Sequence, residues 1–282
     1  MTTLLQFGAR TAPRRARPLV MGVLNVTPDS FSDGGRFLDP DAAVAHGVEL
    51  VAQGADVLDL GGESTRPGAE PVAASEELHR VLPVLRSLRG RVDVPLSIDT
   101  TKAEVARAAL DAGADVVNDV SGFRFDAALL PLVARSGCGI VLMHMRGEPR
   151  TMQEAPGYDD VVGEVRAWLE TRLAVLKSAG VDRARVFVDP GIGFGKRVED
   201  NLELLRHLDR LRPPGCGLVV GASRKSFLGK LLAEPDPMRR LEGDLAIAAH
   251  CRSAGVDVIR VHDVRAVRRL LDVLEAVDPR SA

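Results

Sequence analysis

Apolar residues along this chain gather into short dense runs, separated by longer stretches in which they recur every three or four positions. The runs are "LVMGVLNV" (19–26), "VLDLGG" (57–62), "PLSIDT" (95–100), "VVNDVSG" (116–122), "IVLMHM" (140–145), "VFVDPG" (186–191), "LVVGAS" (218–223) and "VIRVHDV" (258–264). They are almost continuously apolar and end in Gly, Asp or other polar residues, as strands covered on both faces do. Between them, "DAAVAHGVELVAQGA", "SEELHRVLPVLRSLR", "KAEVARAALDAGA", "VVGEVRAWLETRLAVLKSAG" and "VRAVRRLLDVLEAV" carry helical spacing, and several close on a glycine stop. Strands alternating with helices predict a parallel sheet clad in helices. Eight such units predict one α/β domain, a (β/α)₈ barrel over residues 19–282, with a doubly wound open sheet as the alternative. The arginine-rich residues 1–18 read as a surface lead-in to the first strand rather than a transit peptide.

Two polar connections, residues 27–37 and 63–72, are long and rich in Gly, Pro, Ser and Asp. They follow the first two strands, at the barrel face where active sites are built, and suit lids over a mouth. Composition narrows what such a mouth would bind. A net charge of −2 offers no field for nucleic acid or an anionic membrane, so any anion needs a local cluster. No apolar run is long enough to span a bilayer. Three scattered cysteines without a C-x-x-C pair fit free thiols in a reducing cytoplasm.

Side-chain alternation along a strand identifies which residues share a face. Arg260 and His262 share one, which makes them either an anion site or a salt-bridged pair. Asn25 shares a face with Met21 and Val23, and its carbonyl oxygen suits a hard cation such as Mg²⁺. Asp99, Asn118 and Asp189 also stand at strand ends. Two acids and an amide there suit a ligand with N–H donors and ring nitrogens, because a carboxylate can accept two parallel N–H bonds; Asp189 is alternatively a helix cap. Lys225, after the seventh strand, is either a point charge or a Schiff-base lysine. If Met143 lines the barrel, His144 faces the helices as a satisfied core residue. No zinc-ligand spacing or G-x-S-x-G elbow occurs, and "DPGIGFGK" fits neither glycine-rich phosphate fingerprint.

The segments "MGVLNVTPDSFSDGG", "DLGGESTRPGA", "SIDT", "NDVSG", "DPGIGFGK", "GASRKSFLG" and "RVHDV" resemble, in order, those of the dihydropteroate synthases. The resemblance runs from about residue 19 to residue 276. It implies a pterin-binding (β/α)₈ barrel of folate biosynthesis that joins 6-hydroxymethyl-7,8-dihydropterin diphosphate to 4-aminobenzoate with Mg²⁺. It also implies a cytoplasmic homodimer. By the same resemblance, Asp189 and Asn118 hold the aminopyrimidine edge of the pterin. Asp99 and Lys225 meet its other polar atoms, and Met143 and Phe194 its ring. Asn25, Thr65, Arg260 and His262 hold the diphosphate, Asn25 through the metal. Ser226 meets the aminobenzoate carboxylate, Phe31 and Pro67 enclose that ring, and Asp33 assists the metal or the amine. Arg197 and Asp244 depart from the family pattern, which often has Thr at the first position and Ser or Thr at the second. Both fall outside the pocket motifs and bear on helix packing or the dimer contact. Rival readings are a methyltetrahydrofolate-type methyltransferase, which should lack "SFSDGG" and "SRKS", and a non-catalytic pterin-binding paralogue. A Lys225 aldolase is a third.

Overall fold

Alternate residues of the strands divide between two apolar clusters, and that division closes the sheet. In the computed structural model, which describes residues 4–15, 17–27, 39–65, 68–154 and 156–279, eight parallel strands form a closed barrel. They are β3 (Leu19–Asn25), β4 (Val57–Gly61), β5 (Leu96–Asp99), β6 (Val116–Asp119), β7 (Gly139–Met143), β8 (Val186–Asp189), β9 (Gly217–Val220) and β10 (Val258–Val261). β10 pairs with β3, so the open-sheet alternative is excluded.

Leu19, Met21, Val57, Val116, Val141, Phe187, Val219 and Val258 pack inside the barrel. Their neighbours Val20, Leu58, Val117, Ile140, Val188, Leu218 and Ile259 face the helices. The helices are α1 (Pro40–Ala52), α2 (Ala74–Arg89), α3 (Ala103–Asp111), α4 (Leu129–Ser136), α5 (Val161–Ser178), α6 (Val198–Arg206), α7 (Ser226–Leu232), α8 (Leu241–Ser253) and α9 (Val264–Val277). Both α7 and α8 lie between β9 and β10. In α9 the buried residues Val264, Val267 and Leu271 recur at three and four positions, the stripe that seats a helix on a sheet. No helix among the described residues is long and apolar enough to cross a membrane. All three cysteines are buried and free.

The N-terminal segment differs from a surface lead-in. β1 (Leu4–Phe7) and β2 (Arg10–Pro13) form an antiparallel hairpin whose Leu5 and Phe7 join the cluster inside the barrel. Phe7 stacks on Phe187 with ring centroids 4.8 Å apart. Room for the stack comes from glycine: a Cβ at Gly217 would lie 2.4 Å from the Phe187 ring. Three of the four arginines that gave the segment its transit-peptide look are anchors. Arg10 pairs with Asp93 and Asp115, Arg14 with Asp257, and Arg17 with Asp272. The hairpin therefore fills the barrel's N-terminal end, opposite the strand ends that carry the polar residues.

Candidate active site

Strand register lines up the polar residues at the mouth. Asn25 pairs with Gly61, Gly61 with Asp99 and Asp99 with Asn118, while Met143 pairs with Asp189. Asn25, Gly61, Asn118, Met143 and Asp189 each lie two or four positions beyond an inward apolar residue of their own strand, and Asp99 is level with Gly61 and Asn118, so all share the barrel interior. The same alternation puts Asp59 inside, two positions after Val57. Sequence reading passed over Asp59 because "VLDLGG" looks like an unbroken apolar run; its parity with Val57 was the available signal.

Asp59 changes the meaning of Arg260. The Arg260 guanidinium donates through Nε to Asp59 Oδ2 at 2.6 Å and through Nη2 to Asp99 Oδ2 at 3.0 Å. Arg260 thus faces inward as expected, but it is partnered by acids rather than standing as half of a bare cationic pair. Burial opposes its charge, yet Asp59 and Asp99 together hold its pKa above the ordinary value. Asn118 donates to the same Asp59 oxygen at 3.1 Å. Burial, and then the charge of Asp59, push the Asp99 carboxyl up to about 8 against the pull of Arg260. Asp59 Oδ1 and Asp99 Oδ1 are buried with no hydrogen-bond partner among the described residues. Unmet buried carboxyl oxygens are costly, and they mark hydrogen-bonding positions for a ligand.

A second wall comes from residues 189–196. Asp189 Oδ1 accepts the Gly191 N–H at 2.7 Å, so the acid fixes its own loop and keeps Oδ2 for other partners. Burial raises the Asp189 pKa, with Lys225 opposing. Gly191, Gly193 and Gly195 all have positive φ, and the turn needs them: a Cβ on Gly191 would lie 1.9 Å from the His144 carbonyl oxygen. Phe194, at the crest, packs against the cluster of Val120, Met143, Met145 and Met152, as expected for an apolar wall. Lys225 donates to the Ile192 carbonyl, and its Nζ lies 4.5 Å from the Phe194 ring centroid. Burial lowers its pKa to about 8, with Asp189 pulling the other way.

Lys196, unassigned from sequence, pins this loop from beneath. It donates to Gly191 O at 2.9 Å and Phe194 O at 3.0 Å, and sits 3.0 Å from His144 Nδ1. Burial and then the Lys196 charge depress the His144 pKa to about 2, so that ring is neutral. It stacks edge-on against Trp168 with centroids 5.0 Å apart, the satisfied histidine expected of its parity.

At the rim, Ser226 is exposed at the first turn of α7, and Thr65 stands in the connection after β4. That connection is fastened at its base, where Lys102 bridges Glu63 and the buried Glu77. Phe31, Asp33 and Pro67 lie outside the described residues. His262 follows β10, with its Nδ1 3.1 Å from the Ser223 hydroxyl. Arg197 caps α6 through Asp200, a local role that matches its place outside the pocket motifs. Asp244 does not match that expectation: it accepts from Ser223 and so reaches the His262 side of the mouth.

For Mg²⁺, the oxygen chemistry fits. A Cβ at Gly61 would fall 3.8 Å from Asn25 Oδ1 and 3.9 Å from the Glu63 carbonyl, so the bare glycine leaves space edged by hard donors. Among the described residues no three His, Cys, Asp or Glu side chains cluster as a metal cage. Asn25 therefore suits an ion shared with ligand oxygens and water, the usual manner for Mg²⁺ at phosphates.

A buried row of carboxyls and an amide, with Phe194 and Met143 alongside, has the chemistry to suit a flat, nitrogen-rich ring at the barrel's C-terminal face. The family model described as "Pterin binding enzyme" matches residues 21–262. The dihydropteroate synthase of Synechocystis sp. is 46% identical over 275 residues, 98% of this chain and 93% of that protein. In structure, Xanthomonas albilineans dihydropteroate synthase with 4-aminobenzoic acid gives a TM-score of 0.91 at 46% identity, covering 98% of both chains. The same enzyme in complex with 7,8-dihydropteroate gives 0.87 at 43% identity, over 97% of this chain and 98% of that one. The chain belongs to the dihydropteroate synthase family.

Proposed function

We propose that this protein condenses 6-hydroxymethyl-7,8-dihydropterin diphosphate with 4-aminobenzoate, giving 7,8-dihydropteroate and diphosphate. One observation carries the reading: buried carboxyl oxygens without partners, Asp59 Oδ1 and Asp99 Oδ1, stand inside the barrel beside Asn118, which pairs in register with Asp99 and donates to Asp59. A pterin would satisfy both, an N–H donating to Asp59 Oδ1 and a ring nitrogen or carbonyl oxygen accepting from the protonated Asp99, and Asp189 would accept two further parallel N–H bonds.

The pterin ring rests against Met143 and Phe194, with Lys225 at its polar edge. The C–O bond to diphosphate breaks first, and the electron-rich ring delocalises the resulting methylene cation. Arg260, His262, Thr65 and Asn25 stabilise charge gathering on the departing diphosphate, the electrostatic term that usually dominates such steps. Mg²⁺ held at Asn25 would supply further charge neutralisation there. The neutral arylamine then forms the C–N bond and sheds a proton, which demands no strong base. Ser226 addresses the aminobenzoate carboxylate, Phe31 and Pro67 enclose its ring, and Asp33 assists the amine or the metal. Closure of the two long connections excludes water from the cation. Residues 19–282 act as one catalytic domain, and the protein works as a cytoplasmic homodimer.

The test mixes purified protein with the pterin diphosphate, 4-aminobenzoate and Mg²⁺ and follows diphosphate and pteroate together. Stoichiometric release of both is expected. Diphosphate release without pteroate, or neither product, would sink the synthase reading. Borohydride trapping of substrate on Lys225 would instead point to an aldolase.

A further inference from the structure

The buried Asp244 in the first turn of α8 has both carboxylate oxygens engaged. Oδ1 accepts the Arg224 N–H at 3.0 Å, and Oδ2 accepts the Ser223 hydroxyl at 2.7 Å. Burial raises this carboxyl's pKa, while the two donors hold its ionised form. The Arg224 guanidinium is claimed by another acid, donating to Asp263 at 3.0 and 2.8 Å.

Ser223 has two more neighbours. The His262 backbone N–H donates to its oxygen at 3.2 Å, and His262 Nδ1 lies 3.1 Å away. A hydroxyl has one hydrogen and two lone pairs. Its hydrogen is spent on the carboxylate, which only accepts. Both lone pairs must therefore receive donors: the backbone N–H is one, and Nδ1 must be the other.

We infer that Asp244, acting through Ser223, fixes His262 as the Nδ1–H tautomer and leaves Nε2 as the nitrogen that exchanges a proton. Asp244 is thus a positioning residue, reaching the reacting atoms only through Ser223 and His262. That Nε2 serves the leaving diphosphate rests on the function proposed above; the tautomer itself does not.

The tautomer is visible in ligand-free protein. Nitrogen-15 NMR of the histidine-labelled full chain, at a pH where His262 is neutral, reads the two ring nitrogens, with His262→Asn identifying the signal. The expected pattern is a protonated, pyrrole-type Nδ1 and an unprotonated, pyridine-type Nε2. Asp244→Asn should exchange them. Its amide oxygen stays with the Arg224 N–H, its NH₂ group donates to Ser223, and the serine hydrogen turns to Nδ1. A neutral wild-type His262 carrying its proton on Nε2 would overturn the inference, as would an Asn variant with the parent pattern. A residue that merely packs the turn would not invert the ring. Should Asp244→Asn not fold, Ser223→Ala removes the same relay and is expected to abolish the Nδ1–H preference; its persistence would refute the inference. Loss of pteroate synthesis with the expected NMR pattern would count against the proposed reaction and leave the tautomer standing.

Discussion

Asp99 holds a proton that most aspartates have lost at neutral pH. With its pKa near 8 when folded and near 4 when unfolded, the folded chain carries the extra proton between those values. Stability therefore falls as pH rises through that window, because folding then confines a charge beside Asp59. Asp99→Asn removes the charge, so melting temperature should decline less steeply from about pH 5 to about pH 8 in the ligand-free variant than in its parent. Parallel curves would refute the assignment. Asp189→Asn converts an acceptor into a donor and should weaken pterin binding by about 2 kcal/mol, roughly 30-fold, by titration calorimetry. An unchanged affinity would remove Asp189 from the pterin edge. Of these residues, Asp99, Asn118 and Asp189 were legible because each closes its apolar run, where the alternation of the strand is still countable. Asp59 was not, since it sits inside its run, and its partner Arg260 is 201 residues away. Asp244 was hidden for a related reason: its link to His262 runs through Ser223, and no spacing in the sequence announces a three-residue relay.

At the scale of elements, the turn after β8 shows how much of a site is backbone. Gly191 has φ +67°, and any side chain there meets the His144 carbonyl. Gly191→Ala should cost about 2 kcal/mol or more in a denaturant melt and should weaken pterin binding by displacing Phe194. Gly180 offers the control, with φ +86° but nothing within 4 Å of a would-be Cβ. Gly180→Ala should cost only the backbone strain, about 1 kcal/mol, and leave binding intact. Equal losses at both positions would mean that the contact with His144 carries no weight. The run of strands and helices was readable from apolar spacing alone. Lys196 was not readable as the pin, because its partners are carbonyl groups that any residue could supply.

Across the whole molecule the two barrel ends divide labour, with ligand chemistry at one and packing at the other. Phe7→Ala should therefore lower stability by about 3–5 kcal/mol while leaving pterin affinity unchanged. Denaturant midpoints and binding measured on the same preparation would check both, and a loss of affinity would contradict the separation. The barrel itself was evident in the alternating pattern, whereas the hairpin was not: four residues of "LLQF" carry little signal, and what they bury against comes from distant strands. That distance has a consequence in time. Phe187 follows 180 residues behind Phe7. At roughly 5–20 residues per second, a nascent chain would wait on the order of 10–40 s between making the hairpin and making the ring on which it stacks. Among the first described segments to leave the ribosome, the hairpin is among the last to find its place, and its apolar side must be kept from other partners until then.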